Sequence, residues 1–427
     1  MNGNTGQGAD GHVKTRKEHG KLICCFDGTG NEYSGDTSDT NIVKLYQKFD
    51  RSAPGQFHYY QPGIGTYVAG DESVNMGLWG RFNREVTKTL DLGLGISFDH
   101  HVIAGYRFIM RYHEPHDKIF IFGFSRGAFT ARFLARMIST AGLLSKGNEE
   151  LVPFLYRTYQ EYEMGIGRFK TAQEHERYMQ SFKTTFCRTK AKVHFLGLFD
   201  TVNSVGYFDT PFSHKQFLPS VVETATHVRH AVSIDERRCK FKPALLQQDK
   251  KHALSEHKPD DIKEVFFPGN HGDVGGGWKP EGKDAVNEAD DPLQLSDLSL
   301  EWMIKELDAL PGIHPTDRID WNEHKNIFLN NFDRKVSTAV QAPMHDLLKF
   351  GGGVSVVKTF LWHILEWLPF FKRLELIKGQ WKSITFPPNM GGTRDIPDGA
   401  EFHPSVKARM QTCSDYRPKN DGFVLRA

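Results

Sequence analysis

The run Lys118-Ile119-Phe120-Ile121-Phe122 passes without interruption into Gly123-Phe124-Ser125-Arg126-Gly127. It continues into Ala128-Phe129-Thr130-Ala131-Arg132-Phe133-Leu134-Ala135-Arg136. The first piece is apolar and β-rich, the last reads as a helix, and a G-x-S-x-G sits at the junction. No other feature constrains the chain as strongly. A bare G-x-S-x-G is common by chance, but at a strand-to-helix turn it has a steric meaning. The serine must take a strained conformation that exposes Oγ, and only small residues on either side let strand and helix pass closely. Gly123, Gly127 and Ala128 meet that demand. The helix N-terminus and the Arg126 backbone N–H then point toward a developing negative charge. The bland alternative is a glycine-rich turn with an incidental serine.

Other short apolar runs precede and follow the turn: Leu22 to Phe26, Phe57 to Tyr60, Val193 to Phe199, Val228 to Ile234 and Val265 to Phe267. Each reads as a buried strand. Between the second run and the turn, Phe98, Val102, Ile103, Tyr106 and Ile109 recur at helical spacing. Thr40 or Asn41 is placed to cap a helix through Ile42, Val43, Leu45 and Tyr46. Continuous apolar strands alternating with helices predict a mostly parallel sheet covered on both faces, an α/β class. After Asp291 the sequence turns helical, as in Leu295 to Leu307, and then loop-rich with Gly351-Gly352-Gly353 and several prolines. The expected organisation is a polar, disordered lead over 1–20, a catalytic α/β domain over 21–310 and a C-terminal cap or insertion over 311–427, packed on the same domain.

A serine hydroxyl is a poor nucleophile at neutral pH and needs a histidine that is itself oriented by a carboxylate. In a fold with this turn the order is Ser, acid, His, so the partners lie downstream of Ser125. The run Val193 to Phe199 ends at Asp200, and the next strand ends at Asp235; strand-end position does not separate the two. The last strand leads into Pro268-Gly269-Asn270-His271-Gly272-Asp273-Val274-Gly275-Gly276-Gly277, which makes His271 the natural base among 20 histidines. His403 is a second histidine late in the chain, read as substrate-lining or structural. Upstream, Asp27-Gly28-Thr29-Gly30-Asn31 follows the first strand and is expected to face the same pocket. A backbone N–H at Gly28 or Thr29 is then the second oxyanion donor beside that of Arg126. Asp27 either orients that loop or caps a turn.

Composition narrows the partners. Lys+Arg 54 nearly balance Asp+Glu 52, so no global basic field advertises nucleic acid. The five cysteines are scattered without a Cys-x-x-Cys pair, which argues for reduced thiols and against a disulfide framework or thiolate zinc site. The first 20 residues lack the apolar run of a signal peptide, and no stretch reaches the roughly 20 apolar residues of a membrane span. A cytoplasmic or peripheral-membrane protein is expected. The segment Phe360 to Phe371 has two readings, a cap helix stopped by Pro369 or a peripheral membrane contact.

Four ordered motifs carry a resemblance: Phe26-Asp27-Gly28-Thr29-Gly30-Asn31, Gly123-Phe124-Ser125-Arg126-Gly127-Ala128, Phe199-Asp200-Thr201-Val202 and Phe267 to Gly277. Together they resemble the lipase effectors of bacterial type VI secretion, phospholipase-like members of the α/β-hydrolase fold, over roughly Leu22 to Met303. The resemblance implies carboxylic-ester hydrolysis with a small-molecule or lipid ester as substrate, no cofactor, and a triad of Ser125, Asp200 and His271, which favours Asp200 over Asp235. Three other readings compete. Cys25-Phe26-Asp27-Gly28-Thr29 faintly matches the D-x-D-G-T loop of aspartyl phosphatases, with Cys25 where the nucleophilic aspartate belongs. Asp27, His271 and Asp273 offer metal-ligating types without a ligand spacing. A catalytically silent scaffold serving as an interaction module predicts a missing triad member, and none is missing.

Overall fold

The computed structural model describes residues 19–31, 33–63, 94–165, 171–188, 191–202, 223–248, 261–279, 288–369 and 371–420. Most of the 1–20 lead, residues 280–287 and Phe370 lie outside the described residues. Among the described residues seven strands form one sheet: β1 Lys21–Phe26, β2 Gln56–Gln61, β3 Lys118–Phe124, β4 Val193–Phe199, β5 Ala225–Ser233, β6 Asp261–Phe267 and β7 Glu401–Phe402. Their order across the sheet is β7-β6-β5-β4-β3-β1-β2, and every neighbouring pair is parallel.

Among the described residues ten α-helices accompany it: α1 Asn41–Lys48, α2 Leu94–Tyr112, α3 Arg126–Ala141, α4 Val152–Met164, α5 Ala172–Phe186, α6 His271–Gly275, α7 Ser296–Asp308, α8 Glu323–Gln341, α9 Val356–Trp367 and α10 Pro404–Thr412. Strand β1 shows why its run is uninterrupted. Leu22, Cys24 and Phe26 enter one core with α2, α3 and α4, while Ile23 and Cys25 enter a second core with α1, α7 and α8. Both faces of the strand are dry, so neither set of alternate positions tolerates a polar residue.

The C-terminal segment builds part of this framework. Phe328 and Phe332 of α8 lie in the second core, and β7 extends the sheet beside β6. Thr40 caps α1, its hydroxyl accepting from the Val43 N–H. Cys24, Cys25 and Cys239 are buried and all five cysteines are unpaired thiols.

Strand order also fixes where a site can form. From β1 the chain steps outward to β2 and then returns past β1 to β3, so the connections at the carboxyl ends of β1 and β3 diverge and leave a crevice. The loop after β1 and the turn after β3 meet there. A Cβ at Gly127 would lie 2.3 Å from the Phe26 carbonyl oxygen and 2.4 Å from that of Asp27. Backbone cannot swing away as a side chain can. Gly127→Ala should therefore cost about 1–3 kcal/mol through overpacking, read as a lower midpoint in urea, with activity falling further as the two loops separate.

Candidate active site

Ser125 sits between the last residue of β3 and the first of α3 with φ 59° and ψ −124°, a region that side-chain-bearing residues rarely occupy. The conformation is over-determined by its surroundings. The Ser125 N–H donates to Phe199 O of the neighbouring strand at 3.0 Å, and a Cβ at Gly123 would stand 2.5 Å from Ala128 Cα. Strand and helix thus cross with no room for a larger residue, and the strained position falls on the serine.

Asp200 follows the last residue of β4, buried, its N–H donating to Ala231 O at 2.7 Å. Its carboxylate accepts from His271 Nδ1 at 2.5 Å. Because an ionised carboxylate only accepts, this bond assigns the proton to Nδ1 and leaves Nε2 with a lone pair. His271 is the first residue of the one-turn helix α6, which begins with a reciprocal cap: Asn270 Oδ1 accepts from the Asp273 N–H, and Asp273 Oδ2 from the Asn270 N–H. The imidazole lies against two rings, Phe124 at 4.7 Å and Phe241 at 4.8 Å between centroids. Phe124 precedes Ser125 in the chain, so the imidazole packs against the residue next to the serine. Among the described residues no hydrogen bond joins Ser125 Oγ to His271; in such sites that bond commonly tightens only around substrate. A Cβ at Gly275 would strike the Phe124 ring at 1.9 Å, which explains glycine there.

Electrostatics at the pair are set by burial and by two arginines. Burial alone would raise Asp200, but Arg394 and the His271 bond hold its carboxyl well below the ordinary carboxylate range. Burial pushes His271 below its usual value, against the pull of Asp200. Behind it, Glu236 accepts the His271 backbone N–H at 3.3 Å and is held by Arg238 through contacts of 2.9 and 2.7 Å. Its burial is overcome by that arginine, leaving it at about 2.

Arg394 is the residue that sequence reasoning missed. Its guanidinium donates to both oxygens of Asp200, at 2.6 and 2.9 Å, and to Ser233 O and the Phe241 carbonyl. It lies 194 residues beyond its partner, in Gly391-Gly392-Thr393-Arg394-Asp395, with no motif to mark it. It is fully buried, as Arg132 and Arg229 are, and burial of an arginine is invisible in sequence.

The loop after β1 meets the elbow from the other side. Asp27, buried and raised to about 6 by that burial, accepts from the Gly28 N–H at 2.7 Å, from Thr40 Oγ1 at 2.9 Å and from Tyr60 Oη at 2.9 Å. It therefore ties the loop to α1 and β2. The Gly28 N–H is occupied by this bond, which removes it from the two expected oxyanion positions on the loop. Thr29 remains, and its Oγ1 is buried with no hydrogen-bond partner among the described residues.

The other singled-out residues lie apart from the Asp200–His271 pair. Asp235 accepts from the Gly269 N–H at 2.7 Å and from Tyr416 Oη at 3.0 Å. Asp273 also holds His345, through Nδ1 at 2.6 Å, and that imidazole stacks on Trp278. His403 caps α10, stacks on Phe267 at 4.5 Å and is pushed by burial to about 4, a structural role. Among the described residues no group of three His, Cys, Asp or Glu side chains is arranged to hold a metal.

The chain is similar to several other proteins. The chain is 29% identical to the uncharacterized protein YEL023C of Saccharomyces cerevisiae, over 93% of this chain and 80% of the relative. An uncharacterized protein from Pseudomonas aeruginosa matches in structure with a TM-score of 0.37 and 21% identity, covering 73% of this chain and 48% of that one. The Tle1 effector bound to the VgrG spike of the type 6 secretion system matches with a TM-score of 0.30 and 18% identity, covering 66% of this chain and 57% of that one. This chain thus spans about half the length of each of those two proteins. The family model for the catalytic domain of Tle1-like type VI secretion phospholipase effectors matches residues 20–306, two thirds of the sequence, and the chain belongs to that family.

Proposed function

We propose that this protein is a serine esterase that cleaves lipid or phospholipid acyl esters through a triad of Ser125, Asp200 and His271. The observation that carries the reading is the buried Asp200–His271 hydrogen bond beside a serine in the strained elbow conformation. Membership in a phospholipase family supports ester hydrolysis, with a lipid as the substrate class.

In this mechanism His271 Nε2 takes the Ser125 proton as Oγ attacks the ester carbonyl. The imidazolium that forms is stabilised by Asp200, which stays ionised because Arg394 and His271 favour its charge. The Arg126 N–H at the start of α3 and the Thr29 N–H or hydroxyl donate to the oxyanion. The imidazolium returns its proton to the departing alcohol, leaving an acyl-Ser125. Water, deprotonated by the same imidazole, then attacks the acyl carbonyl; the acid departs and Ser125 is restored. No cofactor is required.

The test is hydrolysis of short- and long-chain nitrophenyl esters and of phospholipid vesicles by the wild type and Ser125→Ala. The variant should lose about 10⁴-fold or more on every substrate that the wild type cleaves. Equal rates would overturn the assignment, and a folded wild type without esterase activity would bring forward the silent-scaffold reading.

The pH profile follows from the sign of one shift. His271 must be neutral to accept the proton, and burial moves its titration below the ordinary 6.5. The acid limb of kcat/KM should accordingly bend below pH 6.5. A limb above that value would contradict the buried, neutral imidazole.

A further inference from the structure

Helix α9 packs with its apolar side outward. Val357, Phe360, Ile364 and Trp367, spaced three and four residues apart, are 64%, 59%, 45% and 60% exposed, whereas Thr359, Trp362 and Glu366 on the opposite side are buried. The orientation is locked by polar bonds. The Glu366 carboxylate accepts from the Cys239 N–H at 2.8 Å, from Asn389 Nδ2 at 2.5 Å and from the Gly391 N–H at 3.2 Å. Rolling the helix over to hide the stripe would break all three bonds and bare a buried carboxylate. The fold thus spends its polar contacts on keeping this apolar row in water, which a cap helix serving the core alone has no need to do.

The charges around the stripe point to one kind of surface. Between Met344 and Gly392 the basic residues are Lys349, Lys358, Lys372, Arg373, Lys378 and Lys382, against the acids Asp346, Glu366 and Glu375. Each acid is already held: Asp346 by Arg237, Glu366 by the bonds above, Glu375 by Arg373. Lys349, Lys358, Lys378 and Lys382 are exposed. Lys358 stands on α9 itself, and Lys349 precedes Phe350, whose ring lies 6.1 Å from His363 of the same helix. Exposed aromatics beside these lysines suit an interface whose depth is apolar and whose surface is anionic. The helix has 12 residues, about 18 Å at 1.5 Å each, against the roughly 30 Å of a hydrocarbon core, so it lies in the interface and does not cross. Among the described residues no helix is long and apolar enough to span a membrane.

We propose that the outer face of α9, with Lys349 and Lys358 beside it, is a docking surface for an anionic lipid bilayer. The surface lies close to the candidate site. Trp362, on the inner side of the same helix, is 5.8 Å from the Phe241 ring, which is 4.8 Å from His271, and Arg238 lies over both Trp362 and Phe241. Docking would bring the histidine within two side chains of the lipid-facing helix.

The proposal stands apart from the esterase reading, and its test uses the full chain carrying Ser125→Ala, so that binding is measured without turnover. That protein should sediment with phosphatidylcholine vesicles containing phosphatidylserine. Adding Phe360→Ser and Trp367→Ser, both at exposed positions and checked by circular dichroism for an unchanged fold, should weaken partition by at least about tenfold. Lys349→Glu with Lys358→Glu should weaken binding to the anionic vesicles and leave binding to pure phosphatidylcholine unchanged. Two results would overturn the proposal: equal partition of the serine variant and its parent, or no vesicle binding by a parent that dimerises in light scattering until Phe360 and Trp367 are replaced. In the second case the stripe would be an interface with another copy of this chain.

Discussion

Arg394→Met should destabilise the protein by about 3–5 kcal/mol, because it strips a fully buried carboxylate of its bidentate partner while leaving the charge in place. The midpoint of urea unfolding measures the loss, and a double-mutant cycle separates its cause from lost packing. In Arg394→Met combined with Asp200→Asn no unpaired charge is left, so the double variant should be more stable than Arg394→Met alone. If both are equally unstable, the guanidinium contributes by volume and the ion pair is incidental. The kinetic counterpart concerns pH. With Arg394 gone, Asp200 pairs with His271 alone, the imidazolium is favoured, and the acid limb of kcat/KM should move to higher pH. A merely structural residue would change the amplitude of the profile without moving the limb.

Asp200→Asn should lower kcat by about 10⁴-fold, because an amide at this position no longer fixes the Nδ1–H tautomer or stabilises the imidazolium. Asp235→Asn provides the contrast. Asp235 bonds to the Gly269 N–H and Tyr416 Oη, and it stands at about 6 through burial without touching His271. Its amide replacement keeps an acceptor for Gly269, so turnover should stay within an order of magnitude of the wild type. Steady-state kinetics on the best nitrophenyl ester, at pH 7 or above where His271 is neutral, decide between the carboxylates. A large loss at Asp235 with a small one at Asp200 would transfer the acid role to the other strand.

Much of this was legible before any coordinates, for physical reasons that differ from part to part. Six strands of the sheet appear as apolar runs, uninterrupted where both faces are covered as in β1 and β3, whereas the two-residue β7, Glu401–Phe402, has no such run to mark it. The elbow appears because sterics allow only small residues at Gly123 and Gly127. Thr40 and Asn41 both have the chemistry of a cap; the structure gives the role to Thr40, whose hydroxyl also donates to Asp27. What sequence could not give was contact across long separations. Asp200 and Asp235 end adjacent strands and look alike in one dimension; only the turn of α6 brings His271 to the first. Arg394 reaches Asp200 from the C-terminal segment, where neither periodicity nor motif marks it. Nor does any sequence pattern mark that the Gly28 N–H donates to the Asp27 carboxylate. The segment from Phe360 to Phe371 was ambiguous because a row of apolar residues has the same pattern whether it faces core or solvent. Its orientation depends on Glu366 finding three donors in distant loops.

The central claim, that Ser125 is an activated nucleophile, is tested most directly by covalent labelling with a fluorophosphonate probe. The wild type is predicted to label at Ser125, identified by peptide mass spectrometry. Labelling should disappear in Ser125→Ala and be lost or much reduced in His271→Ala, with circular dichroism unchanged in both. Labelling that persists in Ser125→Ala, or a folded wild type that does not label while a known serine esterase does under the same conditions, would contradict the account.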